Sequence, residues 1–314
     1  MKLGLLFLLG LLITVSTSVA NNNVTVKLKV IDSESGLPVE GATVGMGFLS
    51  NTKNNDFKGE TNDEGRVSAT SDSLWGVKIR VRKHGYYKST RRTARGDQDL
   101  TLLLRPIKNP QPMYARTVTL DLPDKGKQFG FDFEKADWVI PHGKGLKTHI
   151  YFNLSGEGKD AFNYAERLLV NFPQETDGLI KLSEKSQVFE SDFKFQYLAS
   201  EKGYINQMEY VENSYQVKQG LRMMPVTETT FETAILGYEI RVNTEVDNEG
   251  NVIAANYGKI LDEFNVSVFP KEKGGNFIKF TYYYNPIKNE RSLEFDKQRN
   301  LFKGLTRQEQ PKQP

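Results

Sequence analysis

Val24, Val26, Leu28 and Val30 alternate with Thr25, Lys27 and Lys29, a period of two that gives an extended segment one apolar and one wet face. The pattern predicts a half-buried strand. It breaks between Asp32 and Pro38, where acidic, Ser and Gly residues supply turn chemistry and Pro38 denies a ladder donor, and Ala42 to Val44 opens a second strand. Lys53 to Lys58 reads as a polar loop. Trp75 to Arg82 resumes the alternation, with Val77, Ile79 and Val81 inward and Lys78, Arg80 and Arg82 outward.

Further along, the same period predicts strands at Tyr114 to Leu120, His149 to Leu154, Gly178 to Leu182 and Phe189 to Leu198, the last with Phe193, Phe195 and Tyr197 on one face. Tyr204 to Tyr215 is expected to pair with that segment across Glu201-Lys202-Gly203. Asp160 to Leu169 is the one helical candidate, and it competes with a strand from Arg167 to Phe172; the helix is read as short or absent. The clearest hairpin is Ile235 to Ile260, where Tyr238, Ile240 and Val242 alternate with Glu239, Arg241 and Asn243 and Asp247 to Asn251 turns the chain. Phe264 to Phe269 and Phe277 to Tyr284 complete the pattern, and Leu293, Phe295, Leu301 and Phe302 are placed to plug a core.

Breaks in the pattern divide the chain. Met1-Lys2, the apolar run Leu3 to Val15 and the small residues Ser18-Val19-Ala20 make residues 1–20 a signal peptide cleaved after Ala20, and no later stretch is apolar enough to cross a bilayer. Three prolines within residues 106–112 mark a stiff linker. The expected units are therefore 21–105, the linker 106–112, a larger β-rich domain 113–303 and a disordered polar tail 304–314.

The order strand, Asp, Gly36-Leu37-Pro38-Val39-Glu40-Gly41-Ala42-Thr43-Val44, then Thr61-Asn62-Asp63-Glu64-Gly65-Arg66, a valine-rich strand, Gly85-Tyr86 and a leucine-rich strand resembles the carboxypeptidase regulatory-like, transthyretin-like β-sandwich. That resemblance covers Asn23 to Arg105 and implies a scaffold rather than an activity. Later segments, DFEKADW, PHGKG, YGK and YYYNP, are similar to secreted bacterial proteins of unknown function. The fold expected is mostly β, a transthyretin-like sandwich followed by a larger antiparallel sandwich of jelly-roll type.

Composition narrows the chemistry. The absence of cysteine removes disulfides, thiol catalysis and Cys-based zinc sites, so the cores must hold the chain together. The formal charge of +3 is unevenly spread: residues 21–106 carry 14 basic and 10 acidic side chains, and the half that follows balances negative, a division unlike a nucleic-acid binder. Residues 78–95 hold eight basic side chains and no acid; Lys78, Arg80, Arg82, Lys83, Arg91 and Arg92 form a patch that either meets an acidic polymer or envelope surface or blocks edge-to-edge aggregation.

Asp137-Trp138 and His142, followed by Gly143 and Gly145, read either as a binding loop with Trp138 as a stacking plate or as a buried tryptophan plug before a turn. Tyr282 and Tyr284 join Trp138 as candidate sugar-stacking aromatics. The peptidases that carry a transthyretin-like accessory domain bind zinc through H-x-x-E, and His84, His142 and His149 are each followed three places on by Tyr87, Gly145 and Phe152, so that unit is missing. Neither H-E-x-x-H nor G-x-S-x-G occurs, the acidic turn at Asp247 lacks the calcium-loop register, and no metal or cofactor is expected. Paired carboxylates drawn from Asp132, Glu134 and Asp137 are the catalytic alternative. The sequence thus points to a secreted or periplasmic non-catalytic binding or matrix protein with polysaccharide or another cell-envelope protein as partner.

Overall fold

The computed structural model describes residues 22–50, 55–183, 190–230, 235–270 and 275–314; the signal peptide expected at 1–20 lies outside them. Alternation builds the first sandwich. β1 (Asn23–Asp32) lies between β4 (Arg66–Asp72) and β7 (Gln98–Leu104), and this sheet faces a second one ordered β3 (Asn55–Glu60), β2 (Thr43–Phe48), β5 (Val77–Arg82), β6 (Ser89–Arg92). Val26, Val30, Val44, Phe48, Ile79, Val81, Leu102 and Leu104 fill the space between them and are all fully buried. Burial of each such side chain contributes about 1.5–3 kcal/mol. Part of the stretch read as a loop, Asn55 to Lys58, is strand, because Thr43 to Phe48 offers it a complete antiparallel ladder.

The larger unit is again two facing sheets. One runs β10 (Asp137–Trp138), β9 (Gln128–Asp132), β11 (Ile150–Asp160), β12 (Asn163–Asn171), β14 (Gln207–Gln219), β15 (Arg222–Thr229). The other runs β13 (Gly178–Ser183), β16 (Ile235–Val246), β17 (Val252–Val268), β18 (Asn276–Tyr284), β8 (Tyr114–Asp121). Every ladder in these two sheets is antiparallel, and with the one parallel pair β1 and β7 in the first unit the molecule is a nearly all-β protein of the β-sandwich class. Residues 160–169 belong to β11, its turn and β12, with no helix: Leu168 and Val170 find a core on one face at a period of two. The expected strand from Phe264 is the continuation of β17.

A third layer departs from the expectation. Residues 190–205 form no strand beyond isolated bridges, and β14 pairs with β12 and β15 instead. Together with Asn285 to Phe295 this segment covers the outer face of the β16 to β18 sheet, where Phe193, Phe195, Leu236, Tyr257, Tyr283, Leu293 and Phe295 make a further core. Glu239, Arg241 and Lys259 are buried beneath it. Arg241 donates to the carbonyls of Thr176 and Glu201, and Glu239 accepts from Ser200 N–H. Lys259 Nζ donates to the carbonyls of Leu293 at 2.6 Å and Pro314 at 2.9 Å while lying 4.7–5.3 Å from the ring centroids of Phe193, Phe195 and Tyr283.

The connector 106–112 is docked rather than free. Ile107 N–H donates to Gly85, Gln111 N–H to Glu294, and the Glu294 carboxylate accepts from Tyr87 OH and from the N–H groups of Lys108 and Asn109. Arg105 donates to the carbonyls of Phe193 and Phe195, sewing the two sandwiches together. The tail is likewise placed: Glu309 pairs with Arg116, and Tyr283 OH donates to Gln313. A polar sequence stays ordered here because its backbone groups find partners on β8 and β18.

Candidate functional site

The aromatic candidates are core residues. Trp138 is buried among Phe129, Phe131 and Phe152, with Nε1–H donating to Asp121 O at 2.8 Å. Tyr282 and Tyr284 point inward from β18; Tyr282 OH donates to Phe133 O, and Tyr284 OH accepts from Asn243. None offers a ring to a sugar. The physical reason is parity: β18 turns Ile278, Phe280, Tyr282 and Tyr284 to the same face, and that face is the core. Asp137 and His142 do not converge on a ligand either. Asp137 accepts from the N–H groups of Trp138 and Lys144, and His142 is exposed with its ring edge on Phe129. Gly143 is required because a Cβ there would meet Trp138 O at 2.3 Å.

The carboxylate candidates are similarly occupied. Asp132 is buried and accepts from the N–H groups of Glu134, Lys135, Leu146 and Lys147, so both oxygens organise the loops after β9 and before β11. His149 Nδ1 accepts from Phe133 N–H at 3.2 Å, and burial holds the imidazole well below its usual range. The ring is therefore neutral beside Asp132.

The basic patch stays on the surface, in reduced form. Arg91 is ion-paired to Glu190 at 3.1 Å and Lys83 donates to Gly41 O. Lys78, Arg80, Arg82 and Arg92 stand on the outward face of the β3-β2-β5-β6 sheet, and none takes part in an ion pair among the described residues. Lys78 lies directly opposite Arg92. β2 puts Gly45 and Gly47 at the centre of this face, so it lacks side chains where its neighbours have them. Lys58 on β3 and Arg80 on β5 both stand opposite Gly45, hence about 10 Å apart across bare backbone, and a Cβ on Gly45 would meet nothing within 4 Å. The result is an open trough of about 280 Å³ walled by Asp56, Lys58, Arg80 and Arg82. Sequence reasoning found β5 and missed Lys58, Gly45 and Gly47. It also passed over Trp75, which is 59% exposed and whose backbone N–H donates to Leu49 O at the end of this sheet. Its setting in the turn-rich run Thr70-Ser71-Asp72-Ser73-Leu74-Trp75-Gly76 was the available signal.

The fold defines a β-sandwich protein, and no family model and no curated protein matches the chain. Among solved structures it is similar to a DUF3823 family protein from Parabacteroides merdae, at 9% identity and a TM-score of 0.22 over 83% of this chain and 98% of that one. A candidate carbohydrate-binding protein from Bacteroides uniformis gives 9% identity and a TM-score of 0.22 over 85% and 98%. A streptococcal ancillary pilin gives 10% and 0.21 over 68% and 60%. Among the described residues no helix is long and apolar enough to cross a membrane.

Proposed function

We propose that this is an exported, non-catalytic binding protein that holds an acidic polysaccharide along the trough of its first sandwich. What supports the reading is the row Lys58, Gly45, Arg80, in which two cations without ion-pair partners among the described residues flank exposed backbone on a rigid sheet. Fixed cations at that spacing meet a linear polyanion without reorganising, and the glycine floor lets a sugar ring approach the peptide plane. Trp75 at the sheet end supplies an exposed ring of the kind sugars stack on.

The test compares retention of the full chain on immobilised polyuronate and on a neutral glucan. Binding to the polyuronate alone, weakened by added salt and reduced about tenfold or more by the double variant Arg80→Glu, Arg82→Glu, is expected. Gly45→Leu should fill the trough and lower retention without lowering the melting temperature, since its site is open. Equal retention of the neutral glucan, or of the charge-reversed variant on polyuronate, would overturn the reading.

A further inference from the structure

β8 is an edge strand, and the chain covers that edge at both ends and at Thr117 N–H but leaves the groups beside it open. Thr117 N–H points away from β18, to Glu309 O at 2.8 Å, so Thr117 and Thr281 are a non-hydrogen-bonded pair of the antiparallel ladder. Their hydroxyls sit 2.8 Å apart, as the closer spacing of such a pair allows. The backbone groups of Ala115, Thr119 and Asp121 share that parity and also face outward. At one end the Asn300 side-chain amide imitates a neighbouring strand, donating to Ala115 O at 2.8 Å and accepting from its N–H at 3.3 Å. At the other, Trp138 Nε1–H takes Asp121 O. Between these caps Thr117 C=O and both backbone groups of Thr119 open onto a cleft of about 1380 Å³.

The cleft walls say what fits. They carry Arg116, Lys135, Lys144, Lys279, Arg307 and Lys312 against Asp137 and Glu309. Glu309 is already paired with Arg116 and Asp137 is held by two backbone N–H groups, which leaves the other cations to face the opening. We propose that an acidic, extended polypeptide segment of another protein adds here as a strand beside Thr119. Backbone hydrogen bonds to the open groups fix its register, and its carboxylates meet Lys144 and Lys279 on either side of the edge. A polysaccharide would use the cations and leave the ladder groups unmatched.

The probe is a fluorescein-labelled peptide of alternating Val and Glu, titrated against the full-length protein, with two controls: the same peptide N-methylated on alternate residues, and an alternating Val and Lys peptide. Binding of the first alone is expected. Thr119→Pro removes one ladder donor at an edge position where proline is tolerated, and should weaken binding about tenfold while leaving polyuronate retention unchanged. Should that variant not fold, Lys144→Glu with Lys279→Glu, both exposed, carries the same expectation. Equal affinity for the N-methylated peptide would overturn the proposal. So would polyuronate binding that depends on Lys144 and Lys279 in the absence of peptide binding, or self-association of the wild type that Thr119→Pro abolishes, which would make a second copy the occupant.

Discussion

Emptying the Trp138 site should cost about 3–5 kcal/mol, because the indole is packed among three phenylalanine rings and its N–H is the partner of Asp121 O. Trp138→Ala is therefore expected to lower the urea midpoint of unfolding strongly. Trp75→Ala should leave that midpoint nearly unchanged and reduce polyuronate retention instead. The two tryptophans show how far single residues can be read. Trp138 lies beside Asp137, His142 and two glycines, which is equally the composition of a binding loop and of a turn closing over a plug. Only the pairing of Asp137 and Trp138 with Asp132 and Phe131 on β9 decides that the ring points inward. Lys78, Arg80 and Arg82 were legible because alternation fixes their face. The floor between them was not, since Gly45 and Gly47 acquire meaning from the strands on either side.

At the scale of elements, cross-strand partners govern the ionisation of Glu166. It is buried on β12 directly opposite Glu212 on β14, whose carboxylate accepts from Tyr164 OH, and its pKa is pushed up to about 7 by desolvation and then by the Glu212 charge. The unfolded carboxyl ionises near 4.5, so between about 4.5 and 7 the folded chain holds the extra proton. Stability contributed by the protonated form is present below that window and is lost as pH rises through it. Glu166→Gln should thus raise the melting temperature at pH 8, by up to about 3 kcal/mol of stability, and change little at pH 4. The hairpin of β16 and β17 was readable from its alternation and turn. Alternation alone does not tell that its polar face is covered: Glu239, Arg241 and Lys259 lie under the third layer. Residues 190–198 mislead for the complementary reason: Phe193 and Phe195 alternate as in a strand, but the carbonyls of both are used by Arg105 and no ladder forms.

In the whole molecule, Glu294 is the joint. Its carboxylate gathers Tyr87 from the first sandwich and the Lys108 and Asn109 amides of the connector. Glu294→Ala leaves the buried Tyr87 hydroxyl without an acceptor and releases the two exposed connector amides to water, and should destabilise by about 1–3 kcal/mol, splitting a single calorimetric transition into two. Limited proteolysis should spare 106–112 in the wild type and cut there in the variant. The proline spacing is legible as a place where the ladder stops, while the docking comes from side chains nearly two hundred positions away that no local pattern reveals. Lys259 gives this joint a means of observation. An amine enclosed by three rings and two carbonyls, with burial pushing its pKa well down, is shielded from acylating reagents as long as the covering segments stay in place. The rate at which it becomes labelled, set against the labelling of surface lysines, is then a clock for the lifting of that cover.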